Sequence, residues 1–385
     1  MSKEAYDARL PALSWAPQKR HTSVFRIAFR NMLPPKNERT LIAALIPPGI
    51  WAIFAAYRAR LDQENLSEPE DAYRAAREIL AAKPALLPYR AVVVDEAQDL
   101  GAEAFKLIAA IAPKADGGGG KAAPDSLFVV GDAHQRIYGR KASMTKCGID
   151  VRGRSKKLKV CYRTSDEIRR WAVAVMEGVT VDDLDESSDD LRGYRSLFHG
   201  PVPEVLIAKT TAGEMNALTE WIENCKDDGI DESDICVLSR TNPILKEIGE
   251  ALKQKGYKTV QIAPGEADNR AKSGIRLSTM HRSKGLEFSA VALVRINEDV
   301  VPPKALLSLA PDAAIRRSLI AGEKSLIHVS ATRAKRKLFV SSSGQPGAYR
   351  KSHPAILMVQ SAQDRAADDI PGPLNAARDR GILVQ

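Results

Sequence analysis

Polar and apolar positions along this chain fall into two textures. WAIFAAYRARLDQENL (51–66) sets apolar residues at roughly helical spacing with charge between them. SEPEDAYRAAREILAAK (67–83) opens on a serine followed by acids and is stopped by Pro84, the start and stop signals of a helix. Residues 1–88 therefore read as a helical segment. Beyond them the chain repeats a different plan, a short apolar run that ends in a polar loop and is followed by a helix. RAVVVDEAQDL leads into GAEAFKLIAAIAP (101–113), and SLFVVGDAHQRIYG (126–139) repeats the strand and loop. PEVLIAK (203–209), DICVLSR (234–240), GIRLSTM (274–280), SAVALVRI (289–296) and KLFVSSS (337–343) read as further strands, with NALTEWIENCKDD and PILKEIGEALKQKG as helices between them. Continuously apolar strands separated by helices predict an α/β fold whose parallel sheet is covered on both faces. ADGGGGKAAPD (115–125) and the acidic VDDLDESSDD (181–190) read as loops, and 346–385 as a C-terminal tail.

The most apolar run, LIAALIPPGIWAIFAA (41–56), is too short to span a bilayer and is broken by Pro47-Pro48-Gly49, so no membrane partner is expected. A length of 385 residues suits two or three domains, and an aromatic content of 5% predicts mostly aliphatic cores. The net charge of +9 suits a polyanionic partner, most simply nucleic acid, and equally suits a basic protein that has none. Cys147, Cys161, Cys225 and Cys236 form neither a CxxC pair nor a zinc spacing, which points to thiols in a reducing compartment and a cytoplasmic location.

Five segments carry candidate chemistry. Asp95 and Glu96 stand at the end of the first strand, where one carboxylate can hold Mg²⁺ and the next can deprotonate a water; the same pair also suits plain helix capping. In GDAHQRIYG (131–139), Gly131 permits a tight turn and the Gln135 amide can touch a phosphate and a water together. In KVCYRTSDEI (159–168), Arg163 precedes a helix opened by Thr164 or Ser165. STMHRSKGLEF (278–288) gathers Thr, His, Arg, Ser and Lys donors suited to phosphate oxygens around a glycine placed for close backbone approach. In HVSATRAKRKLFV (328–340), Arg333 begins an alternation of basic residues before a strand.

Taken in order, these segments resemble motifs II to VI of the UvrD/Rep-type superfamily 1 DNA helicases. DEAQD resembles the Walker B motif, GDAHQRIY motif III, CYRTSDEI motif IV, TMHRSKGLEF motif V and HVSATRAKRKL motif VI, over about 91–342. The resemblance implies two RecA-like parallel-sheet domains of the P-loop NTPase class, the first incomplete, over 89–158 and 159–345. It also implies that residues 1–88 are the tail of the helical subdomain inserted in the first. By the same resemblance Asp95 holds Mg²⁺, Glu96 activates water, Gln135 senses the γ-phosphate of ATP, and Arg163 and Arg333 act as arginine fingers. Gly285 and Glu287 line the nucleotide. Tyr138, Arg140, Thr279, His281 and Lys284 face single-stranded or partly duplex DNA.

The family's Walker A loop, GxxxxGK[ST], is not found in these residues. The only contender, DGGGGKAAP, has Ala122 after Lys121 where Ser or Thr should ligate Mg²⁺, has Ala115 where the first glycine belongs, and follows a helix rather than a strand. The chain thus reads as opening inside the helical insertion, and the strands at 91–95 and 127–130 as lacking neighbours. Arg140 stands where the family often has a base-stacking tryptophan, and Cys161 replaces the asparagine of motif IV. The short interval from Arg163 to Thr279 implies that the family's second insertion is reduced or absent. The stretch 136–163 holds ten basic residues and one acid, Asp150, and is expected to meet phosphate backbone. Three outcomes follow. The chain is a truncated or split ATP-dependent 3′→5′ helicase whose P-loop comes from a partner or upstream segment, a catalytically inactive DNA- or protein-binding paralogue, or a remnant without function.

Overall fold

The computed structural model describes residues 48–82, 87, 89–114, 123, 125–137, 142–151, 153–179, 181–182, 188–189, 193–262, 268–308 and 310–345. Tyr138, Arg140, the glycine run with Lys121, and the tail 346–385 lie outside the described residues. The chain forms two compact units. Within the described residues the first takes 48–132 and 142–155, and the second takes 133–137 and 156 onward. The short 133–137 segment, with Gln135, packs with the second unit.

The first unit opens with α1 (Pro48–Gln63) and α2 (Pro69–Ala82). A bidentate Arg58–Asp71 pair at 2.5 and 2.8 Å joins them. Arg77 then pairs with Glu103 at 2.8 Å, linking α2 to α3 (Ala102–Ile111). Strands β1 (Val92–Val94) and β2 (Leu127–Val129) form a two-stranded parallel sheet. One face of it packs on Phe105, Met144, Cys147 and Ile149. The other leaves Val93 at 73%, Phe128 at 64% and Val130 at 40% exposure.

The second unit begins with β3 (Val160–Cys161) and α4 (Asp166–Val175), whose N-cap is Ser165 accepting the N–H of Ile168. The acidic stretch expected as a loop contains a short antiparallel pair, β4 (Val181–Asp182) with β5 (Ser188–Asp189), and β6 (Arg195–Ser196) runs parallel to β3. There follow β7 (Glu204–Ala208), α5 (Thr211–Asp227), β8 (Ile235–Ser239), α6 (Asn242–Gln254), β9 (Thr259–Gln261), β10 (Ile275–Thr279), β11 (Phe288–Leu293), α7 (Lys304–Ser308), α8 (Ala313–Ala331) and β12 (Ala334–Ser343). Their sheet is six-stranded and wholly parallel, in the order β7-β12-β11-β8-β10-β9.

Side chains alternate across this sheet as a pleat requires. Val237, Ala290 and Ala292 meet α5 and α6 through Leu218, Trp221 and Ile248. Cys236, Leu238, Val291 and Leu293 meet α4 and α8 through Ile168, Trp171, Leu326 and Ile327. The expected α/β class and two-sided parallel sheet are thus present, with a RecA-like arrangement of strands and helices. β9 and α8 were not anticipated. β9 is a three-residue edge strand, and the buried half of α8 carries Ser325, His328 and Ser330, which hide its apolar stripe. Among the described residues no helix is long and apolar enough to cross a membrane, and none of the four cysteines is in a disulfide.

Candidate functional site

In the first unit, β1 delivers Asp95 and Glu96, both exposed, to its carboxyl end. Asp95 Oδ1 accepts the N–H of Glu96 at 2.8 Å. Glu96 has φ 52°, in the left-handed region that a non-glycine residue occupies at a cost, and it heads a 3₁₀ turn over Ala97–Asp99. Gln98 was not singled out in the sequence, yet it is buried and ties the site together. Its amide nitrogen donates to the Glu96 carboxylate, and its amide oxygen accepts the N–H of Asp132 at 2.9 Å. The loops after β1 and β2 are therefore cross-linked through one side chain. The exposed Asp95 carboxylate suits a Mg²⁺ that takes its remaining ligands from water and phosphate, the usual mode for that ion. No set of three or more metal-binding side chains occurs among the described residues.

In the second unit, Gln135, Arg163, Lys284, Glu287 and Arg333 converge at the amino ends of β11 and β12. Gln135 lies in a 3₁₀ turn; its side-chain oxygen accepts from Arg333 at 3.2 Å and its backbone oxygen accepts from Lys284 Nζ at 3.2 Å. Arg333 is only 2% exposed and also donates to the carbonyl of Val329 at 3.0 Å. Arg163 pairs with Glu287 at 2.7 Å, and the same carboxylate takes Lys335 at 3.1 Å. Backbone bonds close the cluster, from Ser165 N–H to Lys335 O at 3.2 Å and from Phe288 N–H to Arg333 O at 3.0 Å. Lys335 was missed in the sequence because it sits among other basic residues, and only folding distinguishes it. Tyr162, the neighbour of Arg163, was also passed over; its side chain is 70% exposed.

Segment 280–287 runs from the carboxyl end of β10 to the amino end of β11, two strands that lie parallel to the same neighbour. It makes the crossing in fewer residues than the dozen or more that such a connection ordinarily takes. It does so through tight turns, with Arg282 and Ser283 N–H both bonding Thr279 O at 2.9 and 3.0 Å. Thr279 and His281 therefore stand at one end of the sheet and Glu287 at the other. Two donors expected for phosphate are committed within the fold. Ser283 is fully buried and gives its hydroxyl to Met280 O at 2.7 Å, and Lys284 reaches Gln135. His281 is held neutral, its pKa lowered to about 4 by burial and, secondarily, by Arg240. Gly285 has φ 81°, and a Cβ there would meet nothing within 4 Å. A glycine suits that left-handed backbone, and the open space beside it leaves room for close approach.

Known proteins match both parts of the chain. The UvrD/REP helicase N-terminal domain matches residues 19–147, and the UvrD-like helicase C-terminal domain matches residues 258–345. The chain belongs to the UvrD/Rep-type superfamily 1 helicases. Among similar members of that family, a probable DNA helicase of Mycoplasma pneumoniae is 25% identical over 65% of this chain and 43% of its own length. The ATP-dependent DNA helicase UvrD2 of Mycobacterium tuberculosis is 31% identical over 29% of this chain and 15% of its own. The mitochondrial ATP-dependent DNA helicase HMI1 of Saccharomyces cerevisiae is 28% identical over 47% and 26%. The chain thus spans less than half the length of the curated relatives it matches.

Proposed function

We propose that this UvrD-like chain carries the catalytic carboxylates and arginines of an ATP-dependent 3′→5′ DNA helicase or translocase, and that its phosphate-cradling loop comes from outside these 385 residues. The observation that supports this best is the convergence of Gln135, Arg163, Lys284, Glu287, Arg333 and Lys335 within one unit. Glu96 takes the proton of the attacking water, and Gln98 orients it. Gln135 reports the terminal phosphate, and Arg163 and Arg333 neutralise charge developing on the transferred group. Arg163 must leave Glu287 to do so. Asp95 is the residue that would hold Mg²⁺, which neutralises phosphate charge when bound. Tyr162 offers a ring face beside Arg163 on which a base can stack. Thr279, His281, Tyr138 and Arg140 are assigned to single-stranded DNA, with the excess of basic residues favouring its phosphates. The 280–287 crossover connects these contacts to Glu287. We place the protein in the cytoplasm.

A second reading, a catalytically silent DNA- or protein-binding member of the family, draws on the missing GxxxxGK[ST] motif. Loss of even one preorganised donor costs about 10²–10³ in rate, so the chain alone is expected to show negligible DNA-stimulated ATPase. Adding the Walker A-bearing N-terminal portion of a relative should restore hydrolysis, and Glu96→Gln should abolish it. DNA binding without any restoration favours the second reading. Robust turnover by the chain alone, lost in Glu96→Gln, overturns the need for an external loop.

A further inference from the structure

Arg270 lies outside every helicase motif, on the segment that leads into β10, yet it reaches the nucleotide cluster. Its guanidinium donates to the backbone carbonyl of Glu287. The same group pairs with Asp234 at 2.5 Å and with Asp268 at 2.9 Å, and it lies 4.9 Å from the ring centroid of the fully buried Phe288. Its two carboxylate partners are themselves anchored. Asp268 takes the fully buried Arg276 at 3.2 Å, and Asp234 accepts the Ser289 hydroxyl. The guanidinium therefore bridges three chain segments, 233–234, 268 and 287–288. A planar fork with several fixed donors can do this, whereas an ammonium cannot.

Glu287 is where this matters. Its carboxylate is shared by Arg163 and Lys335. Its backbone is gripped from two sides, by Arg270 at its own carbonyl and by the following N–H, which bonds Arg333 O. It is the last residue of a crossover that spans the sheet with little slack. A released carbonyl would let the peptide turn and the carboxylate swing away from its cations.

We propose that Arg270 is a positioning residue, which clamps the end of the 280–287 crossover and thereby aims Glu287 at Arg163 and Lys335. This rests on the functional reading above for its purpose, but its geometry is testable without nucleotide. The test is zero-length carbodiimide coupling of the purified full chain, which joins a carboxylate to an adjacent lysine amine with loss of water. The products are then quantified by mass spectrometry.

Glu287–Lys335 coupling is the readout. Asp228–Lys337, an ion pair untouched by Arg270 whose lysine lies on β12 two residues beyond Lys335, is the internal reference. Arg270→Ala should lower Glu287–Lys335 coupling roughly tenfold, the scale of one lost charge-assisted hydrogen bond, and leave Asp228–Lys337 coupling unchanged. Arg270→Lys should show the same selective loss to a smaller degree, and it decides the matter if the alanine variant does not fold. Wild-type coupling in Arg270→Lys and Arg270→Ala overturns the proposal, as does equal loss at both pairs in the lysine variant. Failure of the ATPase reading with selective loss of coupling leaves the clamp standing and removes only its proposed purpose.

Discussion

The two parallel sheets of this molecule are built from the same kind of sequence and end in different circumstances. VVV in β1 and LFV in β2 are as continuously apolar as ICVLS in β8. In the second unit that texture is satisfied, since all five residues of β8 are buried between two helical layers. In the first unit it is half satisfied, since Val94 is buried while Val93 and Phe128 point to solvent. A strand with no polar face is the signature of a sheet covered on both sides, and a two-stranded sheet is marginal by itself. The difference marks the first unit as the one whose residues are patterned for more neighbours than the described residues provide.

The largest test of this contrast places a carboxylate in each sheet. Val237→Asp buries an unpaired charge and should cost more than about 4 kcal/mol, unfolding the second unit in a denaturant titration. Val93→Asp should change stability by less than about 1 kcal/mol. A comparable loss at both positions would mean that the Val93 face is covered. Supplying the segment that restores ATPase should in turn make Val93→Asp costly.

A smaller effect comes from His281. Its folded pKa, about 4, lies below the ordinary 6.5, so between those values the unfolded chain binds the extra proton. Stability is then full above about pH 6.5 and falls as pH drops toward 4, by up to about 3 kcal/mol and less where solvent screens the ring. Hydrogen exchange at β8 and β10 should register the loss, and His281→Asn should flatten it. An unchanged slope in that variant would remove His281 as its cause.

The smallest effects contrast two left-handed residues, one in each unit. Gly285→Ala should cost about 1–2 kcal/mol through its φ alone, because the site has room for a methyl. Glu96→Gly should stabilise the first unit by about 1 kcal/mol or less while removing the proposed base. Thermal melts of the two variants check both signs.

Much of the candidate site could be named in advance. Asp95, Glu96, Gln135, Arg163, Glu287 and Arg333 were nameable from ordered motifs, because each sits at a fixed offset from a strand end. What could not be read were the residues that act through shape. Gln98 looks like a loop amide until it bridges Glu96 and Asp132, and Lys335 is one of several basic residues until folding sets it on Glu287. Arg270 belongs to no motif. His281 was nameable as a donor, but the burial that lowers its pKa was not.

By itself the sequence determined the strand and helix alternation, the family, and the order of the chemical groups, because these depend on local periodicity and on spacing along the chain. The tertiary structure alone decided which groups meet. Gln135 is distant in sequence from both Lys284 and Arg333, and only their packing puts it in reach of both. It also decided that, among the described residues, one apolar sheet is enclosed and the other half open, since burial depends on which elements cover a face and not on the residues that form it.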